Sequence, residues 1–183
     1  MAGVFKEAVL TAKGIALLAK AHAGRRTIKL TKAATGDGSY SDGEALTNRT
    51  ALKSKKQEFA LITVTTQNQS NVYVKFIITN KQDTGNLKNG YYVKEVGIYA
   101  QDPDEGEILY ALAVGVANQW DYMPAYNDLL PSTITMDFLT EVANATDVTI
   151  VTPNSMYLYD QTTGDKYVLG VDKGLLYYEE VEE

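Results

Sequence analysis

The sequence predicts an α+β fold in which an N-terminal helix packs on a mainly antiparallel β-sheet or sandwich, followed by a small C-terminal β appendix. Three observations support this prediction. Apolar residues near the N-terminus recur at helical spacing, the middle of the chain alternates between apolar and polar residues, and short tyrosine-rich β patterns follow residue 153. We therefore expect two domains, 1–152 and 153–183, and the second has too few apolar residues to be stable alone.

The N-terminal helix is predicted over residues 4–23. Its apolar stripe, which Ile15 and Leu18 widen, consists of Phe5, Val9, Ala12, Ala16 and Ala19. Gly14 costs about 1 kcal/mol relative to alanine inside a helix, so either the helix breaks there or a neighbour packs closely against it. His22, near the helix end, is predicted to be a cap or a surface residue and not a base.

The segments before residue 90 follow in order. Residues 25–34 alternate as a strand, and 35–44 form a loop rich in glycine and aspartate. This loop is not an EF-hand, because the positions that need Gly and Glu hold Asp42 and Asn48. Ser41 or Asp42 is placed to cap a helix that ends near residue 54. Beyond it, alternation predicts a hairpin over 59–64 and 72–78.

A second hairpin organises the chain. Its strands cover 91–100 and 108–115, and the turn between them contains Pro103 and Gly106. The first strand is apolar on both faces, so we expect the hairpin in the middle of a sheet, covered on each face, with the preceding and following strands as its neighbours. Further strands are predicted at 134–142, 146–152, 156–159, 167–171 and 174–181.

Composition excludes several classes of function. The net charge of -6 argues against a nucleic-acid binder, and the absence of cysteine excludes disulfides and thiolate chemistry. No run approaches the roughly 20 apolar residues of a membrane span, and no signal peptide is expected. The sequence contains none of the common phosphate-binding, dinucleotide, zinc-protease or serine-hydrolase motifs. It therefore predicts no enzyme activity, no cofactor and no metal site.

Carboxylates at two places in the sequence are candidates for acid chemistry. Asp102, Asp104 and Glu105 lie at a predicted turn tip, where side chains are usually solvated. Glu95 lies in the middle of an apolar strand, which indicates either a tuned acid or a structural anchor that pairs with Arg25, Arg26 or Lys75. We predict the anchor, because no second catalytic group accompanies Glu95; the enzyme alternative is a glycan hydrolase that uses Glu95 with an aspartate.

Aromatic residues supply the candidate interface. Trp120, Tyr122 and Tyr126 lie in an irregular segment, and loops of this kind often bind partners. Packing or a protein interface is preferred to sugar stacking, because no fixed set of polar residues accompanies them. Tyrosine combines apolar area with a polar tip, so the appendix is expected to dock through its tyrosines, which include Tyr157, Tyr159, Tyr177 and Tyr178.

Five segments in this order resemble the N-terminal domain of phage tail-collar fibre proteins. They are LTAKGIALLAKAHAG at 10–24, the GDG turn at 36–38, GYYVKEVGIYAQD at 90–102, ILYA at 108–111 and YMPAYN at 122–127. The resemblance covers about 4–152 and implies a structural protein of a phage tail or phage-derived tail-like particle. It also implies a domain that fixes a fibre to the baseplate or collar, commonly as a trimer, in a virion tail assembled in the host cytoplasm.

Long tail fibres continue into a shaft and a receptor-binding tip, whereas about thirty residues follow residue 152 here. We therefore expect a short adaptor, with host attachment as its role, that attaches fibre or receptor-binding apparatus to the baseplate. Its expected partners are baseplate and tail-fibre or receptor-binding proteins and further copies of itself, with no nucleic acid and no membrane. The alternative is a carbohydrate-binding module that contacts the host surface through Trp120, Tyr122 and Tyr126.

Overall fold

The computed structural model describes residues 3–23, 28–68, 71–83, 85–141, 157–159, 166–172 and 175–180. The chain divides into two compact units, Met1–Thr152 and Pro153–Glu183. That these units are separate folding domains stays a prediction. Over the described ranges the chain forms thirteen strands, paired antiparallel, and a single α-helix, α1 (Ala12–His22). The predicted α+β class is therefore wrong, because the fold is mostly antiparallel β with one helix of 11 residues.

The larger sheet has five strands. In spatial order they are Val9–Leu10 (β1), Gly106–Val114 (β8), Glu95–Asp102 (β7), Lys29–Gly36 (β2) and Lys55–Phe59 (β3). The predicted organising hairpin forms as the β7–β8 pair, whose turn ends at Gly106 with φ +83°. Its first strand does not begin at residue 91 as predicted, because Tyr91–Val93 is a separate strand that pairs elsewhere. β7 lies at the centre of the sheet, as expected for a strand that is apolar on both faces.

The neighbours predicted for this hairpin are wrong. The strands before and after it, β5 (Asn71–Thr79) and β10 (Thr133–Glu141), pair with each other in a second sheet. β4 (Thr63–Asn68) pairs with the other edge of β5, so the order is β10, β5, β4. β5 buries only alternate residues, which suits an outer sheet with one face on the core; the buried ones are Val72, Val74, Phe76 and Ile78.

Two smaller β elements complete the described residues. β6 (Tyr91–Val93) and β9 (Asp121–Met123) form a two-stranded ribbon in the first unit. In the second unit, β11 (Tyr157–Tyr159), β12 (Lys166–Asp172) and β13 (Leu175–Glu180) form an antiparallel sheet in that order. The strand predicted over 146–152 lies outside the described residues.

The main core joins residues of four parts of the first unit: one face of the five-stranded sheet, the second sheet, the β6–β9 ribbon and α1. Its fully buried side chains include Leu17, Ile28, Ile98, Tyr110 and Phe76. A second apolar cluster covers the opposite face of the five-stranded sheet and contains Ala34, Leu52, Leu109, Leu112 and Val114. The sheet is thus covered on both faces, as the hairpin sequence predicted.

The helix begins later and buries a different face than predicted. Thr11 caps it: the Thr11 hydroxyl oxygen accepts a hydrogen bond from the Gly14 N–H at 3.0 Å, and the Thr11 N–H donates to the Tyr110 carbonyl at 3.0 Å. This anchoring to β8 sets the rotation of the helix. The buried residues of α1 are Gly14, Leu17, Leu18 and Ala21. Of these, only Leu18 belongs to the predicted stripe, whose members Ala12, Ile15, Ala16 and Ala19 are exposed.

Gly14 does not break the helix. It lies directly against β8, where an added Cβ would come within 3.0 Å of the Tyr110 carbonyl carbon and closer still to the carbonyl oxygen. The second of the two alternatives set by the sequence, close packing, is therefore confirmed. Glycine at this position lets the helix approach the sheet backbone more closely than any other residue would.

Residues 37–54, named the covering loop here, lie over the outer face of the five-stranded sheet. Leu46 and Leu52 of this loop pack there with Tyr99. The helix predicted from Ser41 or Asp42 to about residue 54 is wrong, since only the 3₁₀ turn Leu46–Asn48 forms. The covering loop is held in its conformation by a long-range contact that the sequence pattern does not show.

An ion pair ties the helix to the β7–β8 turn. The Lys20 ammonium contacts the Asp102 carboxylate at 2.7 Å, and Asp102 is buried although it was expected to be solvated. Asp102 also accepts a hydrogen bond from the Asp104 N–H at 2.8 Å. The hydrogen bond from Lys20 is the main cause that holds the pKa of Asp102 below its ordinary value of 3.8.

We expect Lys20→Met to destabilise the protein at neutral pH, because it leaves a buried carboxylate without its cation. A carboxyl group whose pKa is lowered by folding stabilises the protein above its unfolded pKa, and this stabilisation is lost as the pH falls through the folded pKa. The difference between variant and wild type should therefore shrink as the pH drops below 3.8. Urea denaturation of both proteins across a pH series measures this difference in the free energy of unfolding. The control is Lys13→Met, which removes an exposed pair with Glu105; equal effects of both variants would contradict the prediction.

Candidate functional site

Glu95 is fully buried at the start of β7, and its carboxylate accepts hydrogen bonds from the covering loop. One oxygen, Oε1, accepts the N–H groups of Gly38 at 3.1 Å and Ser54 at 2.8 Å. The other, Oε2, accepts the Lys53 N–H at 2.9 Å and the Tyr40 hydroxyl. Both ends of the covering loop therefore meet at one carboxylate.

Tyr40 is the side-chain partner of Glu95. Burial, followed by the hydrogen bond to Glu95, raises the pKa of the Tyr40 hydroxyl above its ordinary value of 10.0. The hydroxyl consequently stays protonated and can donate. The Lys53 ammonium lies 4.5 Å from the centre of the Tyr40 ring and contacts Glu44 at 2.6 Å, so the loop is also held by cation–π and ionic contacts.

The glycines of the GDG turn, Gly36 and Gly38, lie close to this carboxylate and its partners. A Cβ at Gly38 would lie 2.8 Å from Glu95 Cδ, and one at Gly36 would lie 2.9 Å from the Ser54 carbonyl carbon. Neither position leaves room for a side chain. The glycines allow the loop backbone to reach the buried carboxylate.

The structure tests only one of the partners predicted for Glu95, Lys75, which pairs elsewhere. Lys75 contacts Asp137 at 3.8 Å, whereas Arg25 and Arg26 lie outside the described residues. Among the described residues, the hydrogen-bond partners of Glu95 are backbone N–H groups and Tyr40. The role of structural anchor stays a prediction.

The aromatic residues of the β6–β9 ribbon form a surface cluster. Tyr92 lies opposite Tyr122 across the ribbon, with ring centroids 5.1 Å apart, and 6.3 Å from Trp120. Tyr92 and Tyr122 are 50% and 53% exposed. We call Tyr92, Trp120 and Tyr122 the aromatic cluster; it presents a fixed apolar patch with two hydroxyl groups to the solvent.

Trp120 is held in place from two sides. The Lys94 ammonium lies 4.6 Å from the Trp120 ring centre, a cation–π contact, and the indole packs against Gly115. Trp120 also borders a cleft of about 150 Å³ whose polar lining includes Ser39, Asp42 and Lys94. The aromatic cluster therefore adjoins a concave surface.

The structure separates the predicted interface residues. It brings Trp120 and Tyr122 together, but Tyr126 lies apart, with its N–H bonded to the Leu87 carbonyl at 2.8 Å and its ring 5.8 Å from the Lys81 ammonium. The remaining predicted residues belong to β11 and β13, and their side chains lie outside the described part; they are Tyr157, Tyr159, Tyr177 and Tyr178.

Sequence reasoning missed two members of this surface, Tyr92 and Lys94. A signal for both existed, because alternation in the strand places Tyr92 and Lys94 on the same face. The pairing of this segment with β9 was not foreseen. Without that pairing, nothing in the sequence joins Tyr92 to Trp120 and Tyr122.

A family model described as phage tail-collar fibre protein, N-terminal, matches residues 1–175. The chain belongs to this family. The match extends beyond the predicted range of about 4–152 and includes most of the predicted appendix. Comparisons with curated proteins and with solved structures gave no match.

Membership in the tail-collar fibre family gives this protein a structural role in the phage tail, where it associates with other tail components. The virion tail is accordingly its location. Among the described residues, no helix has the length and apolar character needed to cross a membrane. The family is typically non-enzymatic.

Proposed function

We propose that this tail-collar fibre protein attaches fibre or receptor-binding apparatus to the baseplate, and that the aromatic cluster is its contact surface. The observation that supports this proposal is the pair of half-exposed tyrosines, Tyr92 and Tyr122, fixed side by side on the β6–β9 ribbon. In this proposal the protein is a non-enzymatic adaptor in the virion that contributes to host attachment and assembles as a homo-oligomer, a trimer.

Physical chemistry favours this surface as a protein contact. Tyrosine and tryptophan are enriched in interface hot spots, because they bury a large apolar area and offer a polar group to the partner. The cross-strand pairing and the Lys94 contact already hold these rings in place, so binding costs little further conformational entropy. Tyr157, Tyr159, Tyr177 and Tyr178 are proposed as further contact residues.

The test uses the double variant Tyr92→Ala/Tyr122→Ala in tails assembled without the endogenous protein. We expect its incorporation, or its binding to isolated baseplates, to fall at least roughly 10-fold, since two hot-spot side chains are removed. Thermal denaturation should change little, because both rings are half exposed. Tyr73→Ala is the matched control, a tyrosine on the second sheet away from the ribbon. Normal incorporation of the double variant would contradict the proposal.

A second candidate function is a carbohydrate-binding module that contacts the host surface. It is favoured by the cleft beside Trp120, whose polar side chains Ser39 and Asp42 could bind sugar hydroxyl groups while an aromatic ring stacks on the sugar. This function requires binding of the purified protein to host glycans, and loss of that binding in Trp120→Ala with the fold intact. Absence of glycan binding would remove it.

A further inference from the structure

The segment 124–132 exposes two adjacent leucines. Leu129 and Leu130 are 77% and 80% exposed, the highest values among the large hydrophobic side chains that the structure describes. Isolated exposed apolar residues are common on protein surfaces. Two adjacent and highly exposed leucines need a reason, because burial of each would be favourable. We call Leu129 and Leu130 the leucine tip.

The segment that carries the leucine tip is held by specific hydrogen bonds. Asn80 is buried and contacts both of its ends: its side-chain oxygen accepts the Ser132 N–H at 2.8 Å, and its amide nitrogen donates to the Pro124 carbonyl at 3.1 Å. Near the tip, Asp128 has φ +62°, and the Asn127 side chain accepts the Leu129 N–H at 3.2 Å. The fold thus holds the leucines in a fixed, outward position.

A complementary groove exists on the same chain. It has a volume of about 310 Å³ and lies between the N-terminal segment, the five-stranded sheet and the edge strand β10. Because a cavity of about 150 Å³ accommodates benzene, this groove has room for two leucine side chains. The groove is also bordered by the charged residues Lys6, Glu7 and Asp137, and its apolar lining consists of Phe5, Ala8, Val96, Ala113, Met136, Phe138 and Leu139.

We propose that the leucine tip of one copy inserts into this groove on a second copy of the chain. The tip precedes β10 and the groove lies along its later half, so they are separated by roughly 20 Å of extended strand and a copy cannot fill its own groove. Different surfaces of the two copies therefore meet. A contact of this kind closes into a ring when its rotation allows, and otherwise extends into a filament.

This inference deepens the self-association in the proposed function and does not depend on the baseplate contact. The leucine tip and the groove are both present on every copy, so each copy donates once and accepts once. If this contact forms, a variant altered at the leucine tip and a variant altered at the groove should still pair with each other. Pairing of these two variants would distinguish a head-to-tail contact from nonspecific hydrophobic association.

The test is light scattering over a concentration series with three purified full-length variants. The wild type should exceed the monomer mass of 20.1 kDa, and the tip variant Leu129→Asp/Leu130→Asp should associate at least roughly 100-fold more weakly. The groove variant Leu139→Asp, which changes a half-exposed residue at the rim of the groove, should weaken association to the same extent. Ile15→Asp, at a half-exposed apolar position on α1, is the matched control and should associate like the wild type.

An equimolar mixture of the tip variant and the groove variant should give a 1:1 dimer, because one keeps an intact groove and the other an intact leucine tip. A wild type that stays monomeric, or a tip variant that associates normally, would overturn the inference, and so would a mixture that stays monomeric. The incorporation assay with Tyr92→Ala/Tyr122→Ala is independent of these outcomes. Failure of one proposal is therefore distinguishable from failure of the other.

Discussion

Gly14→Ala should destabilise the protein by about 3 kcal/mol, although alanine is the better helix former. In an exposed helix position this change would stabilise the helix by roughly 1 kcal/mol. Here the new methyl group would meet the Tyr110 backbone, and the backbone of β8, which lies between β1 and β7, cannot move aside as a flexible side chain can. The steric cost therefore exceeds the gain in helix propensity.

Urea denaturation of Gly14→Ala and of the control Ala16→Gly tests the sign. Ala16 is exposed on the same helix, so its change to glycine should cost about 1 kcal/mol through propensity alone. Both variants should be less stable than the wild type, although one adds a methyl group and the other removes one. An increase in stability for Gly14→Ala would show that α1 can move away from β8.

Glu95→Gln should destabilise the protein by about 3 kcal/mol, and its largest structural effect should be in the covering loop. The four donors at the carboxylate require four acceptor sites, and an ionised carboxylate has only acceptors. Glutamine has nearly the same shape but replaces one oxygen with an NH₂ group. The NH₂ group would face N–H and O–H donors that then have no acceptor. The hydrogen bonds to the remaining oxygen would lose their charge assistance.

Hydrogen exchange of residues 37–54, together with urea denaturation, measures this effect. The amides of Gly38, Lys53 and Ser54 should exchange faster in Glu95→Gln than in the wild type. Glu105→Gln is the control, because it makes the same chemical change at an exposed turn and should alter stability little. If both variants had the same stability and exchange, Glu95 would not be an anchor.

Strand patterns were predictable because they depend on local alternation. The β7–β8 hairpin could be placed from its two apolar runs and its turn, and close packing at Gly14 was one of two outcomes that its helix propensity allowed. The partners of the strands were not predictable. β5 pairs with β10 across more than fifty residues, and nothing local in either strand specifies that choice.

The prediction of the buried helical face was wrong because the apolar residues in 4–23 fit more than one stripe. Alanines at Ala12, Ala16 and Ala19 count as apolar in a pattern but bury little area, so they did not decide the packing. Leu17 and Leu18 bury far more and face the core. The Thr11 contact with β8 fixes the start of the helix and thereby this rotation.

The sequence predicts a helix in the later part of the covering loop, to about residue 54, because Ser41 or Asp42 is a good capping residue. In the structure, the backbone N–H groups of Lys53 and Ser54 bind the Glu95 carboxylate, a contact over roughly forty residues that competes with helical hydrogen bonding. The sequence did indicate that Glu95 was unusual. It could not indicate that the loop supplies the donors.

The pairing of β1 with β8 has a consequence for synthesis on the ribosome. Val9 lies opposite Leu112, so the first strand has no partner until roughly 100 further residues have been made. At 5–20 residues per second this takes about 5–20 s. During that interval Leu17 and Leu18 also lack the β8 surface against which α1 packs. The nascent N-terminus should therefore be a target for chaperones, and truncation before β8 should leave an insoluble chain.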